Sequence, residues 1–207
     1  VEMMKRTATV QANLDYRSEE DALQKMRISL GVSALVTALF AASPLKDGRP
    51  AGMKSVRAAC WLDTDNERCG LLPFVFEGES LFRSYAEWAL DVPMFFVYRH
   101  HTYHPVEGLT FRRFLREGHE GARATLADWE LHLSTLFPET RLKQYVEVRS
   151  ADSGPMAMIR ALPCLWRGLL YVTESRDAAW ALTRDWTFAE RQALREAVPR
   201  AGMAAEV

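Results

Sequence analysis

Glu147 and Arg149 are the two side chains whose types and spacing most directly suggest chemistry. They lie two residues apart, and in an extended strand such side chains point to the same face, about 6.6 Å from each other. A carboxylate at that position suits Mg²⁺ ligation, and a guanidinium suits the oxygens of a phosphoryl group. The alternative is an ion pair on a solvated strand face, and this segment alone leaves both interpretations open.

A second polar row alternates with apolar residues over positions 7–16. Gln11, Asn13 and Asp15 fall on one side of this segment, while Ala12 and Leu14 fall on the other. That period predicts a strand with one buried face. Gln and Asn are poor strand formers, so the row suits hydrogen bonding to a ligand, although a solvent-facing strand side is the competing interpretation.

Arg57 precedes the aromatic residue Trp61 by four positions. An arginine holds a carboxylate with two parallel hydrogen bonds, and a neighbouring aromatic ring forms a pocket wall. The pair is therefore a candidate binding site for a carboxylate substrate. A surface arginine is the alternative.

Other clusters favour structural explanations. His100, His101 and His104 follow a predicted strand and precede a proline, which is typical of solvated loop histidines rather than of a helical zinc motif. Asp63 and Asp65 imitate the start of a calcium-binding loop, but the required Gly at its sixth position is absent. The sequence also lacks a P-loop and a dinucleotide-binding glycine motif, so any nucleotide phosphates must be held by side chains and metal ions.

The composition bounds the class of protein. The chain has 207 residues, of which 48% are hydrophobic and 26% charged, with a net charge of −1. These values are typical of a globular domain, and they give no basic surface for nucleic acid. The longest apolar stretch, residues 28–42, is too short and interrupted for a membrane span. Three scattered cysteines predict reduced thiols in the cytoplasm.

Periodicity, capping residues and prolines predict the elements that must position these side chains. The predicted strands are residues 7–16, 54–61, 94–98 and the segment around Glu147. The predicted helices are residues 18–43 with Ser18 as N-cap, 79–90, 111–115 after Thr110, 126–137, 156–171, 176–183 and 188–198. Together they indicate one α+β unit. A strand pattern beginning so close to Val1 also suggests an N-terminal partner segment.

Several segments carry a resemblance to a known family. They are residues 3–15 (MMKRTATVQANLD), 37–44 (TALFAASP), 55–57 (SVR), 61–65 (WLDTD), 72–76 (LPFVF), 89–94 (ALDVPM), 128–139 (DWELHLSTLFPE), the Glu147 strand, 162–163 (LP) and 185–187 (DWT). In this order they resemble the C-terminal part of the glutamate–cysteine ligases (γ-glutamylcysteine synthetases) of the plant and proteobacterial type. The resemblance covers nearly all of residues 1–207, which are thus expected to be the C-terminal part of such a catalytic domain.

The resemblance implies a glutamine-synthetase-like fold, in which an antiparallel sheet curves around the active site and helices pack behind it; the sheet is expected to be incomplete here. It implies ligation of the glutamate γ-carboxyl to the cysteine amine with ATP and Mg²⁺, through γ-glutamyl phosphate, as the first step of glutathione synthesis. An anionic carboxylate attacking a triphosphate requires cations that screen the charge.

The resemblance also implies roles for individual residues. Glu147 and Gln11 are the implied metal ligands, and Arg149 is the cation that stabilises the transferring phosphoryl group. Asn13 supports the nucleotide side of the site together with Arg149.

Arg57 is the implied clamp for the α-carboxylate of glutamate, and Trp61 is the implied wall of that pocket. The expected partners are glutamate, cysteine and either an N-terminal half or a second copy of the chain. The sequence leaves two other functions open. One is a truncated module that binds nucleotide or glutamate without turnover. The other is a related ligase that uses another amine or feeds ergothioneine synthesis.

Overall fold

The computed structural model describes residues 2–206. Its α-helices are α1 (Glu2–Arg6), α2 (Glu19–Gly31), α3 (Ser33–Leu39), α4 (Val56–Leu62), α5 (Phe74–Glu77), α6 (Leu81–Asp91), α7 (Phe111–Glu117), α8 (Leu126–Ser134), α9 (Met156–Tyr171), α10 (Thr173–Thr183) and α11 (Phe188–Ala201), followed by a 3₁₀ turn at Gly202–Ala204. Its strands are β1 (Ala12–Leu14), β2 (Leu45–Lys46), β3 (Arg49–Pro50), β4 (Cys69–Gly70), β5 (Phe96–Arg99), β6 (Thr102–Pro105), β7 (Phe137–Pro138), β8 (Thr140–Leu142) and β9 (Val146–Val148).

The central feature is a three-stranded antiparallel sheet in the order β1-β9-β8. Strands β2 and β3 and strands β5 and β6 form two separate antiparallel ribbons, and β4 pairs with β7 in parallel. The chain therefore mixes helices with small, mainly antiparallel sheets, which agrees with the predicted α+β class.

One face of the central sheet is apolar and lies in the main core. Ala12 and Leu14 of β1 and Val146 and Val148 of β9 are buried there with side chains from α2 and α9. Trp166 of α9 is the largest fully buried side chain of this core. Helices thus cover one side of the sheet, and the polar side chains of the same strands point to the opposite side.

Capping residues place the helix starts where the sequence predicts them. The Ser18 hydroxyl accepts a hydrogen bond from the Asp21 amide at the start of α2, and Thr110 accepts one from Arg113 at the start of α7. These bonds satisfy amides that have no partner within the helix. Helix α9 has the predicted bounds.

Several predicted elements differ from the structure, and the predicted helix at 126–137 ends at Ser134, before β7 begins at Phe137. The predicted strand at 54–61 is wrong: these residues enter helix α4, whose start is fixed by a hydrogen bond from the Ala58 amide to the Ser55 hydroxyl. The predicted helix at 18–43 is interrupted at Val32 into α2 and α3. The predicted strand at 7–16 is regular only over β1, and α1 precedes it.

Within residues 2–206, none of the helices combines the length and the apolar character that a bilayer crossing requires.

Candidate active site

The polar face of the central sheet brings together residues that are far apart in the sequence. The register places Asn13 of β1 directly opposite Glu147 of β9, and Glu147 directly opposite Arg141 of β8. Side chains paired in this way lie on the same face of a sheet. Gln11 and Arg149 occupy the next position along that face and contact each other.

Glu147 lies at the centre of the side-chain contacts on this face. It is only 3% exposed, and it accepts hydrogen bonds from Arg141 Nη2 at 2.9 and 2.8 Å and from Arg141 Nε at 3.2 Å. Arg149 Nη1 donates to its Oε1, and Lys143 Nζ lies 3.8 Å from its Oε2. Three cations thus surround one buried carboxylate, which leaves the face with an excess of positive charge.

These neighbours determine the charge state of the carboxyl. Burial by itself raises the pKa of Glu147, but the hydrogen bonds and positive charges of Arg141 and Arg149 outweigh it, so the pKa lies below its ordinary value. Burial and the adjacent Arg141 lower the pKa of Arg149, and Glu147 opposes that change. Arg149 remains charged at neutral pH, because the ordinary pKa of arginine is far higher.

Gln11 completes the contacts around the carboxylate. In the amide orientation that satisfies both neighbours, its nitrogen donates to Glu147 Oε1 at 3.1 Å and its oxygen accepts from Arg149 Nη1 at 3.0 Å. The structure therefore joins Gln11 to Glu147 and Arg149, although more than 130 positions separate them in the chain. Asn13 lies beside Glu147 on the edge strand and is exposed.

Arg149 extends from this cluster to a large cavity. Its Cζ lies 5.8 Å from the ring centroid of Trp61 and 5.6 Å from that of Phe137, and the two rings meet edge to face at 6.0 Å. Such contacts between a cation and aromatic rings fix the guanidinium without consuming its hydrogen bonds.

The cavity has a volume of about 1020 Å³. Arg149, Trp61 and Phe137 line it together with Cys60 of α4 and the aromatic residues Phe95 and Phe96 near β5. Its charged lining residues are the basic Lys46, Arg68 and Arg149 and the acidic Asp63 and Asp65. Basic side chains thus outnumber carboxylates on mainly apolar walls, which suits an anionic small molecule near Arg149.

Arg57 lies behind this cavity rather than in its wall. It is buried, its Nη1 donates to the carbonyl oxygen of Ser150 at 2.9 Å, and its Nη2 donates to the carbonyl oxygen of Arg149. Burial lowers its pKa. Both terminal nitrogens therefore hold the backbone after β9, and Trp61 alone of the predicted substrate pair reaches the cavity.

Asp152 fixes the same junction. Its carboxylate accepts hydrogen bonds from the Ala42 amide at 2.9 Å, from the Ser43 hydroxyl at 2.6 Å and from the Ser55 hydroxyl at 2.8 Å. Ser55 is also the N-cap of α4. The segment that follows β9 and the helix that carries Trp61 are consequently held in one arrangement.

The described residues do not assemble a site for Mg²⁺. Both oxygens of Glu147 accept arginine donors, and the part of the chain that the structure describes contains no group of three or more His, Cys, Asp or Glu side chains arranged to hold a metal. Gln11 adds one amide oxygen to this cluster, and that oxygen accepts from Arg149. Metal ligation by Glu147 and Gln11 stays a prediction that requires further donors and movement of the arginines.

Arg141 is the member of this cluster that the sequence pattern did not reveal. The pattern that identifies it is the alternation of Glu139, Arg141 and Lys143 with Thr140 and Leu142. That alternation is typical of a strand with one polar face, but it covers only three regular residues of β8 and directly follows a proline.

Comparison with known proteins shows which family this chain matches. Residues 1–206 match the model of glutamate-cysteine ligase family 2. The chain is 48% identical over 206 residues to glutamate–cysteine ligase B, chloroplastic, from Oryza sativa subsp. japonica, covering 98% of this chain and 42% of that protein. The chloroplastic glutamate–cysteine ligases of Arabidopsis thaliana and Nicotiana tabacum are also 48% identical over 98% of this chain, which covers 40% of each.

The chain thus spans about two fifths of the length of these relatives. Their names also correct one expectation. The cytoplasmic location predicted from the cysteines is contradicted, because all three relatives are described as chloroplastic. A low cysteine count reports a reducing environment and does not separate one reducing compartment from another.

Proposed function

The chain belongs to glutamate-cysteine ligase family 2, and from this membership we propose that it forms part of a catalytic domain that joins the γ-carboxyl of glutamate to the amine of cysteine at the expense of ATP. The reaction is the first step of glutathione synthesis. Residues 1–207 supply the C-terminal part of that domain in this proposal.

One observation carries the proposal: Glu147 holds two arginines, and one of them, Arg149, reaches a cavity of about 1020 Å³. Transfer of a phosphoryl group to a carboxylate brings two anions together, and fixed cations offset that repulsion. Arg149 is the residue we assign to the phosphoryl oxygens. Its partners Glu147 and Gln11 hold its direction, and Asn13 lies where it contributes to nucleotide binding.

The chemistry has two steps. The γ-carboxylate oxygen of glutamate attacks the γ-phosphorus of ATP, which releases ADP and gives γ-glutamyl phosphate. The cysteine amine then attacks the acyl carbon, loses a proton and releases phosphate. Arg149 offsets negative charge in both steps, and Trp61 forms an apolar wall that excludes water from the acyl phosphate. Mg²⁺ is expected to accompany ATP, and the described residues do not assemble a site for this ion.

We also propose that the central sheet is part of a larger, glutamine-synthetase-like sheet. In the described structure β1 and β8 are the outer strands of this sheet, and Tyr85 already forms a hydrogen bond with the backbone of Leu142 in β8, so β1 is the edge at which further strands would pair. An N-terminal half or a second copy of the chain is the proposed source of such strands. The relatives are more than twice as long as this chain, which supports the proposal that a further segment supplies strands to the sheet.

A second candidate function is a module that binds nucleotide or glutamate without turnover. The arginine cluster and cavity support anion binding, while the incomplete set of metal donors favours the absence of catalysis by this chain alone. A related ligase that uses another amine, including one that feeds ergothioneine synthesis, shares the same first step, and the described residues do not separate the amines.

The test is to incubate the purified chain with ATP, Mg²⁺, glutamate and cysteine, and to measure ADP and γ-glutamylcysteine. The reaction is repeated after addition of the remaining segment of a relative, and with other amines in place of cysteine. Product in either reaction supports the ligase. Nucleotide binding without product in both supports the binding module, and the absence of both binding and product contradicts the two candidates.

A further inference from the structure

Arg141 holds the central carboxylate of the polar face from the side opposite Arg149. Its Nη2 and Nε donate three hydrogen bonds to the Glu147 carboxylate, between 2.8 and 3.2 Å. Its Nη1 donates to the carbonyl oxygens of Ser134 and Leu136, both at 3.2 Å. Arg141 is 8% exposed and does not line the large cavity. Its donors therefore contact the protein rather than that cavity.

We propose that Arg141 is a positioning residue, which fixes the Glu147 carboxylate and thereby aims the Arg149 guanidinium into the cavity. The proposal deepens the proposed function, on which its consequence for ATP rests. A forked guanidinium restricts a carboxylate to one plane, which a lysine cannot do. With that plane fixed, Oε1, which also accepts from Arg141 Nη2, is held where it accepts from Arg149 and from Gln11.

The two sets of hydrogen bonds made by the Arg141 guanidinium explain how it can position Glu147. Ser134 is the last residue of helix α8 and Leu136 follows that helix, so their carbonyl oxygens tie the guanidinium to the end of α8 while its other nitrogens hold β9. The side chain is thus fixed at two independent points. Movement of Glu147 toward another partner requires breaking the fork, and burial makes an unpaired carboxylate costly at this site.

The experiment compares Arg141→Lys with Arg99→Lys. Arg99 makes the same forked contact with Asp128, at 2.6 and 2.8 Å, but lies away from the large cavity. Each variant loses the contact of two guanidinium nitrogens with one carboxylate and keeps the positive charge. The first readout is the ¹⁵N-resolved signal of the Arg149 side chain in the unliganded chain, which reports the order of its guanidinium. The second is calorimetric titration with ATP.

The signal of Arg149 is expected to broaden or shift in Arg141→Lys and to remain unchanged in Arg99→Lys. ATP affinity is expected to fall about tenfold in Arg141→Lys only, the size expected when a charge-assisted hydrogen bond is lost. An unchanged Arg149 signal in Arg141→Lys overturns the positioning role. If the unaltered chain binds no ATP, either alone or with the remaining segment of a relative, while the signal changes as expected, the positioning role stands and the proposed function fails.

Discussion

Arg57 donates a hydrogen bond from its Nη2 to the backbone carbonyl oxygen of Arg149. The helix that carries Arg57 also carries Trp61, whose ring lies beside the guanidinium of Arg149. Helix α4 therefore holds Arg149 twice, through its backbone and through its side chain. This geometry favours a supporting role for Arg57, while the clamp for a glutamate carboxylate, which the family resemblance implies, stays a prediction.

Arg57→Lys is expected to separate these two roles. Lysine lacks the two terminal nitrogens with which Arg57 reaches separate carbonyl oxygens, so the support role predicts a loss of about 1–3 kcal/mol in the free energy of unfolding, measured by urea titration. A direct clamp predicts instead a raised KM for glutamate with little change in stability. An unchanged free energy of unfolding contradicts the support role. Arg113→Lys, at an exposed pair with Glu117, is the matched control.

Glu147→Gln is expected to remove a pH-dependent part of the stability. The pKa of Glu147 in the folded chain lies below its ordinary value of 4.5, so its contribution is present above 4.5 and is lost as the pH falls through the folded pKa. The difference in free energy of unfolding between the two proteins should be about 3 kcal/mol at neutral pH. It should shrink on acidification well below pH 4.5.

Urea unfolding at a series of pH values measures this difference. Glu117→Gln is the control, since that carboxylate lies in an exposed ion pair that contributes little. A difference for Glu147→Gln that stays constant from neutral to acidic pH contradicts the assignment of a charged, arginine-bound carboxylate.

The three cysteines are expected to react at different rates. Cys164 is exposed, Cys60 is partly buried in the wall of the large cavity, and Cys69 is buried, where desolvation raises the pKa of its thiol to about 12. Alkylation at neutral pH, followed by peptide mass spectrometry, should therefore modify Cys164 first and Cys69 only after unfolding. ATP should protect Cys60 alone, and equal protection of Cys164 contradicts binding in this cavity.

Gly31→Ala tests the contact between α2 and α10. An added Cβ would lie 2.7 Å from the Thr183 hydroxyl and 3.2 Å from Arg191 Nη1. Thr183 is fully buried, so the neighbours have little room to move, and a loss of about 1–3 kcal/mol is expected in thermal or urea unfolding. Gly168→Ala is the control, because its Cβ would meet nothing within 4 Å. Equal stability of the two variants contradicts the close packing at Gly31.

The sequence predicted best what depends on local periodicity. The alternation of Ala12 and Leu14 with Gln11 and Asn13 gave the correct buried face of β1, and Ser18 and Thr110 gave correct helix starts. Local pattern failed at residues 54–61, where the Ser55 cap starts helix α4 in a segment predicted to be a strand. It also did not predict the interruption of the helix at Val32, directly after the tightly packed Gly31.

The contacts of the candidate site likewise divide into those that local spacing predicts and those that depend on tertiary packing. The shared face of Glu147 and Arg149 follows from their spacing, while their contact with Gln11 depends on the pairing of β1 with β9. The burial of Glu147 between two arginines could not be predicted, because Arg141 belongs to a strand of three residues whose register is fixed only by pairing with β9. The buried position of Arg57 likewise depends on tertiary packing of α4.

The most direct test of the central claim is calorimetric titration of ATP into the purified chain and into Arg149→Gln. We predict that the unaltered chain binds ATP, alone or with the remaining segment of a relative, and that Arg149→Gln binds at least about tenfold more weakly under the same conditions, a difference of about 1.4 kcal/mol, while both unfold cooperatively. Absence of binding to the unaltered chain under both conditions, or equal affinity of the two proteins, would contradict the assignment of this cavity to the nucleotide phosphates.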